Sequence, residues 1–194
     1  MTLLERLTAS LQHKQQIDIE DERDFTDSVA GHRQAAVLIP ITQRPQPGVI
    51  LTQRPDWLNS HPGQVAFPGG KIDDGDSDEI DAALREAEEE LAMPRSQVDI
   101  IGTGDIYYSG SGFAITPVIG LIPPDLPLTP CPNEVADWFE VPLDFLLDRQ
   151  NAIMKKAQWQ GRERQYYDMQ WQDRRIWGVT AGIVANIVRR IEAL

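Results

Sequence analysis

The sequence predicts an α+β protein, a mixed sheet with helices on its flanks, on three observations. Short apolar runs rich in strand formers recur through the middle and second half of the chain, separated by Gly- and Pro-rich segments. One central stretch, Glu79–Ala92, contains nothing that breaks a helix. Both ends carry apolar residues at helical spacing, Leu3, Leu4, Leu7 and Leu11 in one, Ile183, Ile187 and Ile191 in the other.

Taken in order, residues 2–15 read as an amphipathic helix, and the polar stretch 18–33 as loop and short turns. Ala35–Ile41 (AAVLIPI) and Val49–Gln53 form a predicted hairpin across Pro47-Gly48. A brief strand, Gln64–Phe67, stops at Pro68-Gly69-Gly70, and residues 71–78 form a polar loop. The helix from Glu79 has Asp76, Ser77 or Asp78 as N-cap, and Pro94 lies just past its end. Further strands are expected at Val98–Gly102, Ile115–Ile122 and Glu134–Val141, with a short helix at Pro142–Leu147. A hairpin from Ile153–Gln158 to Gln165–Met169 would turn at Gln160-Gly161, and Gly178–Leu194 closes the chain as a helix.

At 194 residues the chain fits one domain, or one domain with terminal additions, and its 41% apolar and 25% charged residues suit a soluble protein. The segment Met1 to Gln16 lacks the apolar core of a signal peptide, and no run approaches a membrane span, so the expectation is a cytoplasmic protein with no membrane partner. The one cysteine, Cys131, excludes an intrachain disulfide. A formal net charge of −12 argues against a nucleic-acid partner, whose backbone is gripped by Lys and Arg. An acidic protein can still handle a small phosphorylated substrate if a divalent cation or a local basic cluster reverses the sign of the site.

The central helix is where such a cation fits. On a helical wheel Glu86, Glu89 and Glu90 share an arc of about 100°, while Ile80, Ala83, Leu84, Ala87 and Leu91 occupy the adjoining arc. That apolar stripe would seat the helix on the sheet and leave the carboxylates at the edge of a cleft, with Glu88 turned to solvent. Three carboxylates at this spacing repel one another unless cations neutralise them, and hard oxygen ligands suit Mg²⁺ or Mn²⁺. The helix alone also reads as a solvated acidic face. The strand, Gly69-Gly70 turn and acidic loop that precede it favour the metal reading, since glycines let a phosphate or metal approach the main chain.

These residues resemble the Nudix hydrolase signature, G-x5-E-x7-R-E-U-x-E-E-x-G-U with U aliphatic. Gly70 matches its first glycine, and Arg85-Glu86-Ala87-Glu88-Glu89-Glu90 matches its R-E-U-x-E-E core. The loop is one residue longer: counted from Gly70 the first Glu position holds Asp76, counted back from Arg85 it holds Ser77, and Ala92 stands at the closing glycine. Upstream, Ile50-Leu51-Thr52-Gln53-Arg54, Gly63 and Phe67-Pro68-Gly69-Gly70 resemble the L-L-T-x-R-[SA]-x3-R-x3-G-x3-F-P-G-G pattern of the coenzyme A pyrophosphatase subgroup, closest to its bacterial NudL-like members. Here Pro55 occupies the [SA] position and Asn59 that of the second arginine. Thr116-Pro117-Val118, Asn133-Glu134-Val135, Val141-Pro142-Leu143 and Trp177–Gly182 extend the similarity.

The resemblance implies a Nudix fold, an α/β/α sandwich with a mixed sheet and a catalytic loop-helix. Residues 35–194 would form that domain, and residues 1–34 an N-terminal helix and extension packed on it. It implies a metal-dependent hydrolase of a diphosphate such as coenzyme A, releasing 3′,5′-ADP and 4′-phosphopantetheine, with Mg²⁺ or Mn²⁺ as cofactor. Glu86, Glu89 and Glu90 would be metal ligands or base, Arg85 would orient a carboxylate, and Glu134 and the Gly70 carbonyl would add metal contacts. Arg54, His61, Gly69 and Gly70 would meet the substrate, and the assembly would be a monomer or homodimer. Trp138, Trp171 and Trp177 read as core aromatics, Ser109–Gly112 as a connection, and Arg174-Arg175 as too short a basic run to bind nucleic acid. Two other classes remain. A non-catalytic Nudix-fold nucleotide sensor would be expected to lack the E-x-x-E-E carboxylates present here. A Nudix-fold isopentenyl diphosphate isomerase would need a reactive cysteine, a role the proline-flanked Cys131 fits poorly.

Overall fold

The computed structural model describes residues 1–12, 31–159 and 162–194. The expected turn at Gln160-Gly161 and most of the polar stretch 18–33 therefore lie outside the described residues.

The core is built on strand β1 (Arg33–Thr42), the hairpin partner β2 (Gly48–Gln53) and the long strand β7 (Phe113–Ile122). β1 and β7 run parallel over their full lengths, from Arg33↔Phe113 to Thr42↔Ile122, while β1 and β2 are antiparallel, so the sheet is mixed as expected. β2 also pairs antiparallel with β8 (Asp137–Pro142), and β7 with β5 (Asp99–Thr103). Three short strands complete the sheet: β3 (Val65–Ala66) on β2, β4 (Gly69–Lys71) on β1, and β6 (Tyr107–Tyr108) on β7. A second, three-stranded antiparallel sheet consists of β9 (Ile153–Trp159), β10 (Arg162–Trp171) and β11 (Arg174–Trp177).

Alternation along β1 divides the core in two. Ala36 and Leu38 face one side with Ile50, Val118 and Ile122, and there they meet Ala83, Ala87 and Leu91 of helix α2 (Glu79–Leu91). Ala35, Ile39 and Ile41 face the other side with Leu51 and Ile119. Helices α1 (Leu3–Leu11), α3 (Leu143–Leu147) and α4 (Val179–Glu192) cover that side through Leu7, Leu146, Val184 and Ile187. The result is helix, sheet and helix in three layers. α1 is held by buried Leu7 and by Arg190 of α4, whose Nε donates to the Ser10 carbonyl at 2.8 Å while its guanidinium grips Asp105 at 2.7 and 2.8 Å.

Several boundaries differ from the sequence expectation. β8 starts at Asp137 because residues 131–135 are taken up by a turn in which the N–H groups of Glu134 and Val135 both reach the Cys131 carbonyl. β4, β6 and β11 had not been expected. The first two are only 3 and 2 residues long and owe their conformation to neighbours rather than to any pattern of their own. Trp138 and Trp171 pack as partly buried core aromatics; Trp177 instead lies under the Arg175 guanidinium, 4.8 Å from its ring centroid.

Candidate active site

The site forms where β4 delivers Gly69-Gly70 to the flank of α2. Gly70 pairs with Ala36 and Gly69 with Val37. A Cβ on Gly69 would come within 2.4 Å of the Ala36 carbonyl oxygen, and one on Gly70 within 2.4 Å of Glu86 Oε1. Backbone crowding thus requires glycine at 69, whereas a side chain at 70 would displace the Glu86 carboxylate. The Gly69 N–H donates to Glu90 Oε2 at 3.3 Å.

α2 is capped at its start by Asp78, whose Oδ1 accepts from Asp81 N at 2.8 Å. At its other end the segment after β7 closes over the last turn: Thr129 N donates to the Leu91 carbonyl and Cys131 N to the Glu90 carbonyl, each at 2.8 Å. This docking carries Glu134 to the helix. Oxygens of Glu86, Glu90 and Glu134 lie within 4.8 Å of one another.

Burial and mutual repulsion set the charge state of these groups. Glu90 is only 4% exposed. Burial, then the neighbouring Glu86, push its carboxyl up from 4.5 to about 8, against the pull of the Gly69 N–H and Arg54. Glu86 is also raised, first by burial, with its hydrogen bond to Arg85 opposing. A cluster of this kind fits a divalent cation: hard oxygen donors, uncompensated negative charge, and a glycine beside it leaving room.

Arg85 organises the helix's acidic side. Its Nε and one terminal nitrogen grip both oxygens of Asp76, at 2.8 and 3.0 Å, and the Lys71 carbonyl accepts at 3.0 Å. Its other terminal nitrogen donates to Glu86 Oε1 at 3.0 Å and Glu89 Oε2 at 3.1 Å. This forked bond holds the Asp76 carboxyl down at about 2. The lengthened loop therefore still supplies a carboxylate to the helix, with Asp76 making the contact.

Comparison with known proteins identifies the family. The NUDIX domain family matches residues 32–162. The chain belongs to the Nudix hydrolase family. Over 160 residues it is 47% identical to the uncharacterized Nudix hydrolase NudL of Escherichia coli (strain K12), covering 82% of this chain and 83% of that protein. The counterpart from Shigella boydii serotype 4 is 48% identical over the same length and covers the same shares. Among solved structures, the Nudix hydrolase RenU from M. smegmatis superposes with a TM-score of 0.51 at 27% identity, covering 61% of this chain and 75% of that one. A MutT/nudix family protein from Enterococcus faecalis reaches 0.51 at 14% identity, with 100% of this chain and 70% of that one covered, a likeness of fold alone. The protein is a Nudix pyrophosphohydrolase, and Nudix hydrolases generally use divalent metals.

Within that Nudix frame, the expected residues separate by position. Glu86, Glu90 and Glu134 converge with Gly69 and Gly70 alongside. Glu89 lies outside the converging group, more than half exposed and bonded to Arg85. Arg54 begins the loop that leaves β2, and its buried Nε has no hydrogen-bond partner among the described residues. His61 is exposed, in a left-handed conformation with φ 55°, and its Nδ1 meets Gln64 Oε1 at 2.9 Å rather than a carboxylate. Sequence reasoning missed two contributors. Cys131 acts through its backbone N–H on α2, which no side-chain motif reveals. Arg174 reaches Gln53 and Asp137 beside the site, and its only sequence signal was the Arg174-Arg175 pair.

Proposed function

We propose that the protein is a cytoplasmic, Mg²⁺- or Mn²⁺-dependent hydrolase that cleaves the diphosphate of coenzyme A or a related nucleoside diphosphate conjugate. The observation that carries the metal reading is the convergence of Glu86, Glu90 and Glu134 within 4.8 Å, with no guanidinium or ammonium bonded to Glu90 among the described residues. Glu86, Glu90 and Glu134 hold the cation, with the Gly70 carbonyl as a further contact. When bound, the metal neutralises diphosphate charge and polarises the phosphoryl group under attack.

The chain's own residues do the rest. Arg85 fixes the orientation of Glu86 and Glu89 through bonds of 3.0 and 3.1 Å. Glu89, exposed beside the cluster, serves as base or additional ligand. The guanidinium of Arg54, whose buried Nε lacks a partner among the described residues, would meet a substrate phosphate oxygen if the loop shifts to admit it. His61 and the Gly69-Gly70 main chain border the substrate. Positioning and charge neutralisation supply most of the rate in phosphoryl transfer.

The coenzyme A assignment rests on the matches at residues 50–54, Gly63 and residues 67–70, and the loop joining β2 to β3 departs from that pattern at Pro55 and Asn59. Pro55, buried where the subgroup pattern has Ser or Ala, accepts from Leu58 N and Gly63 N at 3.4 Å through its carbonyl. Asn59 is exposed, so phosphate recognition on this loop rests on Arg54. The test is hydrolysis of coenzyme A with excess Mg²⁺ or Mn²⁺, products separated by chromatography, beside ADP-ribose, NADH and diadenosine polyphosphates. Release of 3′,5′-ADP and 4′-phosphopantetheine is expected, and Glu90→Gln should abolish it in a folded protein. Turnover of another conjugate only would discard coenzyme A. Metal binding without any turnover would favour a nucleotide sensor.

A further inference from the structure

Arg174 opens β11, just after the two-residue turn Gln172-Asp173, beyond the residues that match the NUDIX domain. It shares a strand face with Ile176, which is fully buried, so this face of the second sheet looks onto the domain. There the guanidinium donates to Gln53 Oε1 and, at 2.5 Å, to Asp137 Oδ2, and its plane lies 4.8 Å from the Phe139 ring centroid. Asp173 is a looser neighbour at 3.7 Å.

These partners sit at a junction. Gln53 and Asp137 are paired across β2 and β8, and the Ala136 N–H donates to the Gln53 carbonyl at 2.8 Å. One residue beyond Gln53 is Arg54; three residues before Asp137 is Glu134. The segment that presents Glu134 is thus held at one end by α2, through Cys131, and at the other by the Gln53–Asp137 pair that Arg174 covers. Glu134 needs such restraint. It is exposed, and the negative charge of Glu86, within 4.8 Å, pushes it away from the cluster.

We propose that Arg174 is a positioning residue: by clasping Gln53 and Asp137 it fixes the segment carrying Glu134 and so sets how tightly the carboxylate cluster holds a divalent cation. This rests on the metal-site reading above. The second sheet thereby becomes part of the site without touching the metal.

The test measures Mn²⁺ binding to the whole protein by the electron paramagnetic resonance of free Mn²⁺, with thermal denaturation of the metal-free variants alongside. Arg174→Met and Asp137→Asn should each weaken Mn²⁺ binding roughly 10-fold, the lower end of what residues supporting a ligand contribute. Arg174→Lys should recover part of that loss. The double variant Arg174→Met/Glu134→Gln should bind no more weakly than Glu134→Gln alone, because both act through one carboxylate. A merely structural arginine would lower the melting temperature and give additive effects, which would overturn the proposal. If Arg174→Met does not fold, Asp137→Asn decides, as its side chain is half exposed. Weakened binding in Glu134→Gln with unchanged binding in Arg174→Met and Asp137→Asn sinks this inference alone. Unchanged binding in Glu134→Gln sinks the ligand assignment and this inference with it.

Discussion

Arg85 makes five hydrogen bonds, and their distribution shows what a single residue contributes here: two to Asp76, one each to Glu86, Glu89 and the Lys71 carbonyl. Asp76 anchors the fork, since its side chain is nearly inaccessible, at 3% exposure, and accepts the Asp73 N–H at 2.8 Å as well. Asp76→Ala should therefore leave Arg85 free to move, lowering kcat/KM by about 10- to 100-fold with a smaller effect on folding. Steady-state kinetics at saturating Mn²⁺ checks this; an unchanged kcat/KM would show that Arg85 needs no anchor. The sign of the pH effect follows from the carboxyl's position at about 2, below its ordinary 3.8. Its contribution to stability is complete above about pH 4 and is lost as pH falls toward 2. Only part of this was legible in the sequence. The R-E-x-x-E-E core identified the helix and its carboxylates, but counting along the loop left two candidates, Asp76 and Ser77. The backbone turn, with Asp76 N donating to the Asp73 carbonyl at 3.0 Å, selects Asp76, and that selection is geometric.

Among the elements, α2 was read with little error, as Glu79–Ala92 against the observed Glu79–Leu91, because capping candidates, propensity and an apolar stripe agreed. Its end carries a local conflict. Ala92, where the family pattern has glycine, takes the left-handed conformation, φ 52° and ψ 33°, which turns the chain so that the Met93 N–H reaches back to the Ala87 carbonyl at 3.4 Å. The methyl group is exposed and makes no core contact that would offset the strain. Ala92→Gly should then raise stability by about 1 kcal/mol, less the added flexibility of glycine in the unfolded chain. Denaturant unfolding measures it; a loss of stability would mean the methyl has a packing role. The short strands β4, β6 and β11 were illegible for the opposite reason. Gly69–Lys71 has no strand signal, and becomes a strand because Ala35, Ala36 and Val37 offer it a ladder. Likewise Glu134 was assigned to a strand from its apolar neighbours, whereas hydrogen bonds to Cys131 make it part of a turn.

At the scale of the whole molecule, the net charge of −12 called for a divalent cation or a local basic cluster at the site, and the fold concentrates the problem at one buried carboxyl. With its carboxyl raised from 4.5 to about 8 in the folded protein, Glu90 binds more protons when folded than when unfolded throughout that interval. Stability of the metal-free protein must then fall as pH rises from about 4.5 to about 8, since the unfolded state gives up its proton first. Glu86 and Glu134 face Glu90 and add to the effect; Arg54 and the Gly69 N–H oppose it without cancelling it. Asp76 does not interfere, because its own titration lies below this range. Three melting series in the presence of a chelator separate the causes. Wild type should lose melting temperature steadily between pH 5 and pH 8. Glu90→Gln should flatten that slope and melt higher than wild type at pH 8, even though it is inactive. Mn²⁺ in place of the chelator should restore wild type at pH 8, by about 2.7 kcal/mol at a hundredfold excess over its Kd, and restore Glu90→Gln far less. A flat wild-type profile without metal would mean that water reaches Glu90 and that the site is not strained by its own charge. A slope that survives in Glu90→Gln would place the strain on Glu86 instead, the other cluster carboxylate that burial pushes upward.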